Sequence, residues 1–101
     1  MVKVKWGIER GIDVEATRDG ERWVIEAKGC GSSDQMRGNY FIAMLGETLQ
    51  RMSDDDARYS IAMPDMRRFR RLWSRLPRLA RQRTQITALF VARDGAVDQV
   101  P

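Results

Sequence analysis

Polar and apolar positions alternate with period two in the amino-terminal part of the chain and with helical period after it. Residues 2–6 alternate Val and Lys before Trp6 and predict a first strand. Residues 12–18 and 22–28 alternate again, and Asp19-Gly20 between them is the dipeptide suited to a tight turn with positive φ, so the two runs predict a hairpin. In that hairpin Ile12, Val14 and Ala16 lie with Trp23, Ile25 and Ala27 on the face opposite Asp13 and Glu26, and the apolar face is expected to pack on the core. Gly29-Cys30-Gly31 breaks the second strand. Ser32-Ser33-Asp34-Gln35 has capping-box spacing for a helix to about Met52, with Met36, Tyr40, Phe41, Met44, Leu45, Leu49 and Met52 as its apolar stripe. Gly38 and Gly46 inside it suggest close packing. Tyr40 reads as a core residue.

Ser53-Asp54-Asp55-Asp56 reads as a solvated acidic link, and Tyr59–Met63 as a buried strand closed by Pro64. Asp65 is placed to cap the next helix, in which Met66, Phe69, Leu72, Trp73 and Leu76 face inward and Arg67, Arg68, Arg70, Arg71 and Arg75 outward. Pro77 ends or kinks that helix, and Leu79 and Ala80 extend its apolar face in a short second one, with Arg78, Arg81 and Arg83 exposed. Ile86–Ala92 is an apolar strand, turned by Arg93-Asp94-Gly95 into a last strand around Ala96–Val100. The order βββαβαββ contains a β-α-β-α-β run, which predicts an α/β fold: a mixed β-sheet flanked by helices, in a single domain over residues 1–101.

Composition narrows the chemistry. With one cysteine, Cys30, and no histidine, zinc sites of thiolate and imidazole and every Ser-His or Cys-His nucleophile are excluded. The lone cysteine, the absence of a signal-peptide pattern and the lack of a long apolar run point to a cytoplasmic protein that does not enter the membrane. The formal net charge of +4 hides an asymmetry: residues 1–65 carry 9 basic and 12 acidic side chains, whereas residues 66–101 carry 9 basic and 2 acidic. An acidic half beside a strongly basic one suits a metal site next to a surface that binds a polyanion such as DNA.

The hairpin register makes that site specific. A loop centred on Asp19-Gly20 sets Asp13 directly opposite Glu26, and like charges so placed repel. A divalent cation removes the conflict, because carboxylates offer it hard oxygen ligands. Lys28, two residues beyond Glu26, shares its face and can orient or help to deprotonate a water, and the Ala27 carbonyl can complete a metal shell. The competing account is a solvated charge ladder in which Lys28 neutralises Glu26. Glu15 is a further acid on the Asp13 face.

Asp13 followed across a hairpin by Glu26-Ala27-Lys28, then by a helix, resembles the PD-(D/E)XK nuclease superfamily, most closely its type IV restriction enzyme and Holliday-junction resolvase branch. The resemblance covers about residues 8–45 and implies a restriction-endonuclease-like fold. It implies a Mg²⁺- or Mn²⁺-dependent deoxyribonuclease in which Asp13 and Glu26 bind metal, Lys28 assists the attacking water and Gln35 joins the catalytic group. Capping alone also accounts for Gln35. Ile12 stands where Pro is common in the superfamily. The family usually opens with a helix, and this chain opens almost directly with a strand, so the helix is lost, truncated, or replaced by a partner domain or a second copy of the chain. Eight arginines lie between Arg67 and Arg83 without an acidic residue among them, and Arg is suited to bidentate phosphate contact. Arg67, Arg68, Arg71, Arg75 and Arg78 are the candidate DNA contacts. Pairing of these arginines with Asp54, Asp55, Asp56 or a partner chain is the alternative. A non-catalytic nucleic-acid-binding or assembly module of the same fold is the alternative function.

Overall fold

The computed structural model describes the backbone of residues 2–7, 11–18, 20–27 and 34–101, and the side chains of Thr17 and of residues 20–27 and 36–101. In chain order the elements are β1 (Val2–Gly7), β2 (Gly11–Arg18), β3 (Glu21–Ala27), α1 (Asp34–Arg51), β4 (Arg58–Pro64), α2 (Arg67–Ser74), α3 (Arg78–Thr84), β5 (Thr87–Val91) and β6 (Val97–Val100). The strands form one six-stranded sheet in sequence order. β1, β2 and β3 are antiparallel, β3, β4 and β5 run parallel, and β6 returns antiparallel to β5. Parallel neighbours need crossovers, and α1 supplies the first while α2 and α3 supply the second. This is the expected mixed sheet flanked by helices.

Gly20, at φ +80°, makes the tight turn between β2 and β3, where Arg18 pairs with Glu21. The β5–β6 turn is likewise held by Gly95 at φ +89°. Both conformations are ones that glycine adopts without a Cβ clash. As expected, the segment after Asp65 forms two helices divided at Pro77, which cannot donate to a continuing ladder. Gln85, in the left-handed region at φ 57°, ends the second, its backbone N–H donating to the Arg81 carbonyl at 2.9 Å.

The principal core lies between α1, α2 and one face of β3, β4 and β5. Phe41 and Met44 of α1, Phe69 and Trp73 of α2, and the alternate residues Tyr59, Ile61 and Met63 of β4 meet there with Ala88 and Phe90 of β5. Met66, Leu72 and Leu76 pack against this cluster, so the inward stripe of α2 is as expected. The core face of β3 is not. Val24 packs against the cluster, and Glu26 pairs in register with Ile61, on the face that α1 covers. Ile25 and Ala27 lie on the other face and are nearly as buried, at 8% and 7% exposed. An interior strand covered on both sides loses the alternation that would tell its faces apart.

Three smaller expectations also change. Asp65 does not cap the helix: the N-cap of α2 is Met66 without a side-chain bond, and Asp65 instead accepts from Arg70 Nε at 2.6 Å and Nη2 at 3.0 Å. Among the described residues, nothing stands where a Cβ on Gly46 would lie, and a Cβ on Gly38 would meet the Arg68 guanidinium alone, at an ordinary 3.6 Å, so close packing with these residues requires neither glycine. The acidic link is built on Asp54, whose carboxylate accepts from the Asp56 backbone N–H at 3.0 Å and whose backbone bonds the Tyr59 hydroxyl. On the sheet face away from the core, the buried Ser60 hydroxyl accepts from Trp23 Nε1 at 2.8 Å and bonds Thr87 Oγ1 at 2.6 Å, a polar link across β3, β4 and β5.

Candidate functional site

The β2–β3 register is the one the turn demands: Asp13 is the direct partner of Glu26, Val14 of Ile25 and Ile12 of Ala27. Directly opposed residues on antiparallel strands have Cβ atoms roughly 4.5–5.5 Å apart. Two acidic positions therefore stand together near the carboxyl end of β3. The backbone alone is described for Asp13, Glu15 and Gln35, and Lys28 lies outside the described residues, as do Ser32 and Ser33 of the expected capping box.

Glu26 is 2% exposed. A buried carboxylate needs a counter-charge and hydrogen bonds. Arg51, in the last turn of α1, meets that need: its Nη1 donates to Glu26 Oε2 at 2.7 Å, while its own side chain remains 44% exposed. The pair thus runs from beneath α1 to the solvent. Arg51 escaped the sequence reading because a basic residue at a helix carboxyl end is already accounted for by the helix dipole. Gln35, at the other end of α1, stands about 24 Å from Arg51 along the helix axis at 1.5 Å per residue. Ala27 closes β3, paired with Ile12 on one side and Ala62 on the other.

The parallel strands fix the position of the basic segment relative to this pair. Ala27 pairs with Ala62 near the carboxyl end of β4, and α2 begins at Arg67, three residues after β4 ends at Pro64. Arg67 and Arg68 therefore stand at the carboxyl ends of the parallel strands, where Glu26 and Ala27 also lie. Arg68 reaches back over the start of α1, within 3.6 Å of a Cβ built on Gly38, and its buried Nε has no hydrogen-bond partner among the described residues. Open α/β sheets bind ligands in the crevice outside these strand ends. Arg71, Arg75 and Arg78 continue from there at intervals of four and three residues along α2 and into α3, all exposed.

Of the eight arginines in this segment, Arg70 alone forms an ion pair among the described residues, with Asp65 and with Asp98 at 3.0 Å. The side chains of Arg67, Arg71, Arg75 and Arg78 have no acidic partner among the described residues. Pairing with the acidic link is not what occupies them, since Asp54 faces Arg22 at 3.8 Å. Arg70 also lies over the Phe90 ring at 4.4 Å. The Asp65 carboxyl is held below the usual carboxylate range chiefly by the Arg70 hydrogen bonds, which outweigh the opposing desolvation, with a lesser contribution from the Arg70 charge.

Among the described residues no cluster of three His, Cys, Asp or Glu side chains is placed to hold a metal. The donor chemistry of the Asp13–Glu26 register pair nonetheless fits a hard divalent cation: two acidic positions face each other and one of them is buried. A cleft of about 400 Å³ lined by Asp54, Arg58, Arg83 and Thr87 lies at the opposite ends of β4 and β5 and includes none of these residues. No helix among the described residues is long and apolar enough to cross a membrane.

Neither the protein-family models nor the curated proteins compared with this sequence match it. Among solved structures, the crystal structure of an XisH family protein from Nostoc punctiforme is similar, with a TM-score of 0.62 at 13% identity over 99% of this chain and 88% of that one. At that identity the likeness is one of fold, and it extends over nearly the whole chain: an α/β mixed sheet flanked by helices.

Proposed function

We propose that this protein is a metal-dependent endonuclease that hydrolyses DNA phosphodiester bonds. The reading rests on one observation above all: the register sets Asp13 directly opposite a buried Glu26, near the carboxyl ends of the parallel strands, beyond which α2 begins with Arg67 and Arg68. Asp13 and Glu26 would hold Mg²⁺ or Mn²⁺, with the Ala27 carbonyl as a further ligand. Bound there, the ion would supply Lewis acidity and a more acidic water. Lys28, next after Ala27, would orient that water and add positive charge near the scissile phosphate. Gln35 begins α1, about 24 Å along the helix from the Arg51 that touches Glu26, and is left outside this constellation. Arg67 and Arg68 would grip phosphates beside the site, and Arg71, Arg75 and Arg78 the backbone leading away from it.

The test is a plasmid-nicking assay with Mg²⁺, with Mn²⁺ and with EDTA. Nicking with either ion that EDTA abolishes is the expected result. A second reading, a non-catalytic nucleic-acid-binding or assembly module, draws support from the Arg51 contact, which already neutralises Glu26. Salt-sensitive DNA binding with no nicking under either ion would favour that module. A homodimer or a partner domain against the sheet is compatible with both.

A further inference from the structure

Arg51 belongs to no expected motif, yet its Nη1 donates to Glu26 Oε2 at 2.7 Å. We infer that Arg51 is a positioning residue of the metal site that occupies Glu26 Oε2 in the metal-free protein and sets the affinity for a divalent cation by competing with it. The inference rests on the reading of Glu26 as a metal ligand. Three observations carry it. Glu26 is 2% exposed, so its charge requires a partner at all times. Nη1 of Arg51 is 2.7 Å from Oε2, so a cation bound through that oxygen would meet the guanidinium at contact distance. The Arg51 side chain is 44% exposed and sits at the end of α1, so it can leave Glu26 for water without uncovering the core.

The choice of residue fits the role. A guanidinium stays charged at every accessible pH and is more weakly hydrated than an ammonium, which suits it to a half-buried pair. A dication offers Glu26 twice the charge and displaces it. The ion then binds more weakly than the two acids alone would allow, by the free energy of breaking the pair.

Mn²⁺ binding followed by electron paramagnetic resonance tests this, with Glu26→Gln as the background. Arg51→Gln keeps a hydrogen-bond donor for Oε2 and removes the competing charge, and it is expected to bind Mn²⁺ at least tenfold more tightly than the parent. Equal or weaker binding by Arg51→Gln, with the parent above background, overturns the role of Arg51 and leaves the metal reading standing. Binding by neither above the Glu26→Gln background overturns both. Should Arg51→Gln fail to fold, the parent protein answers through phenylglyoxal modification read by peptide mass spectrometry. Saturating Mg²⁺ is expected to raise the rate at Arg51 several-fold, and an unchanged rate overturns the inference.

Discussion

Glu26 and Arg51 show how one buried charge organises its neighbours. Removing Arg51 takes a charged hydrogen-bond partner from the buried Glu26 carboxylate, and the loss of such a partner by a buried polar group costs about 1–3 kcal/mol. Arg51→Met is therefore expected to lose that much in urea unfolding, and Arg51→Met combined with Glu26→Gln to recover most of it, since the double change removes the charge with its partner. A second residue-scale prediction concerns acid. The folded state depresses the ionisation of Asp65, chiefly through its Arg70 hydrogen bonds. The resulting stabilisation is present above the unfolded-state value of about 3.9 and is lost as pH falls through the lower folded value. Arg70→Met should raise the Asp65 titration midpoint in carbon-detected NMR, and its stability deficit at neutral pH should shrink below about pH 4. Asp13 and Glu26 were legible in the sequence because an Asp-Gly turn fixes register. The burial of Glu26 was not, since a charged residue in a strand ordinarily marks the solvent face, and neither was Arg51, which meets Glu26 only through the crossover.

The elements were legible wherever one periodicity dominated. α2 combines an inward Phe69 and Trp73 with outward arginines, and its stripe is the one expected. β3 misled because it is covered on both faces, so apolar Ile25 and polar Glu26 are both buried and the pattern names the wrong core face. In α1, Gly46 is exposed, with nothing among the described residues at its Cβ position. Gly46→Ala should thus stabilise the protein by about 0.5–1 kcal/mol, read as a higher urea midpoint at constant slope. Along α2 and its end, Arg67, Arg71 and Arg75 lack acidic partners among the described residues. Each phosphate contact adds about one unit to the salt dependence of DNA affinity. Replacing the three together should lower the slope of log affinity against log salt by about three units, measured by fluorescence anisotropy on a labelled duplex. An unchanged slope would remove α2 from the DNA-binding surface.

For the whole molecule, the sheet order follows chain order, so each crossover returns the chain to the strand next in line, and the βαβ run was enough to anticipate a mixed sheet. The division between an acidic first part and a basic second part gains a spatial meaning: the parallel strands carry Glu26 and the start of α2 to the same end of the sheet. That juxtaposition, a facing acid pair at the strand ends where arginines without an acidic partner among the described residues begin, is the basis for proposing phosphodiester hydrolysis. Its central claim is that Asp13 and Glu26 act as a unit. Single-turnover cleavage of plasmid DNA with saturating Mg²⁺ measures this directly, with circular dichroism to verify folding. Asp13→Asn and Glu26→Gln should each slow cleavage at least a hundredfold, and the double variant should be no slower than the worse of the two, because residues that share one role lose it once. Cleavage by both single variants at the rate of the parent would contradict the account.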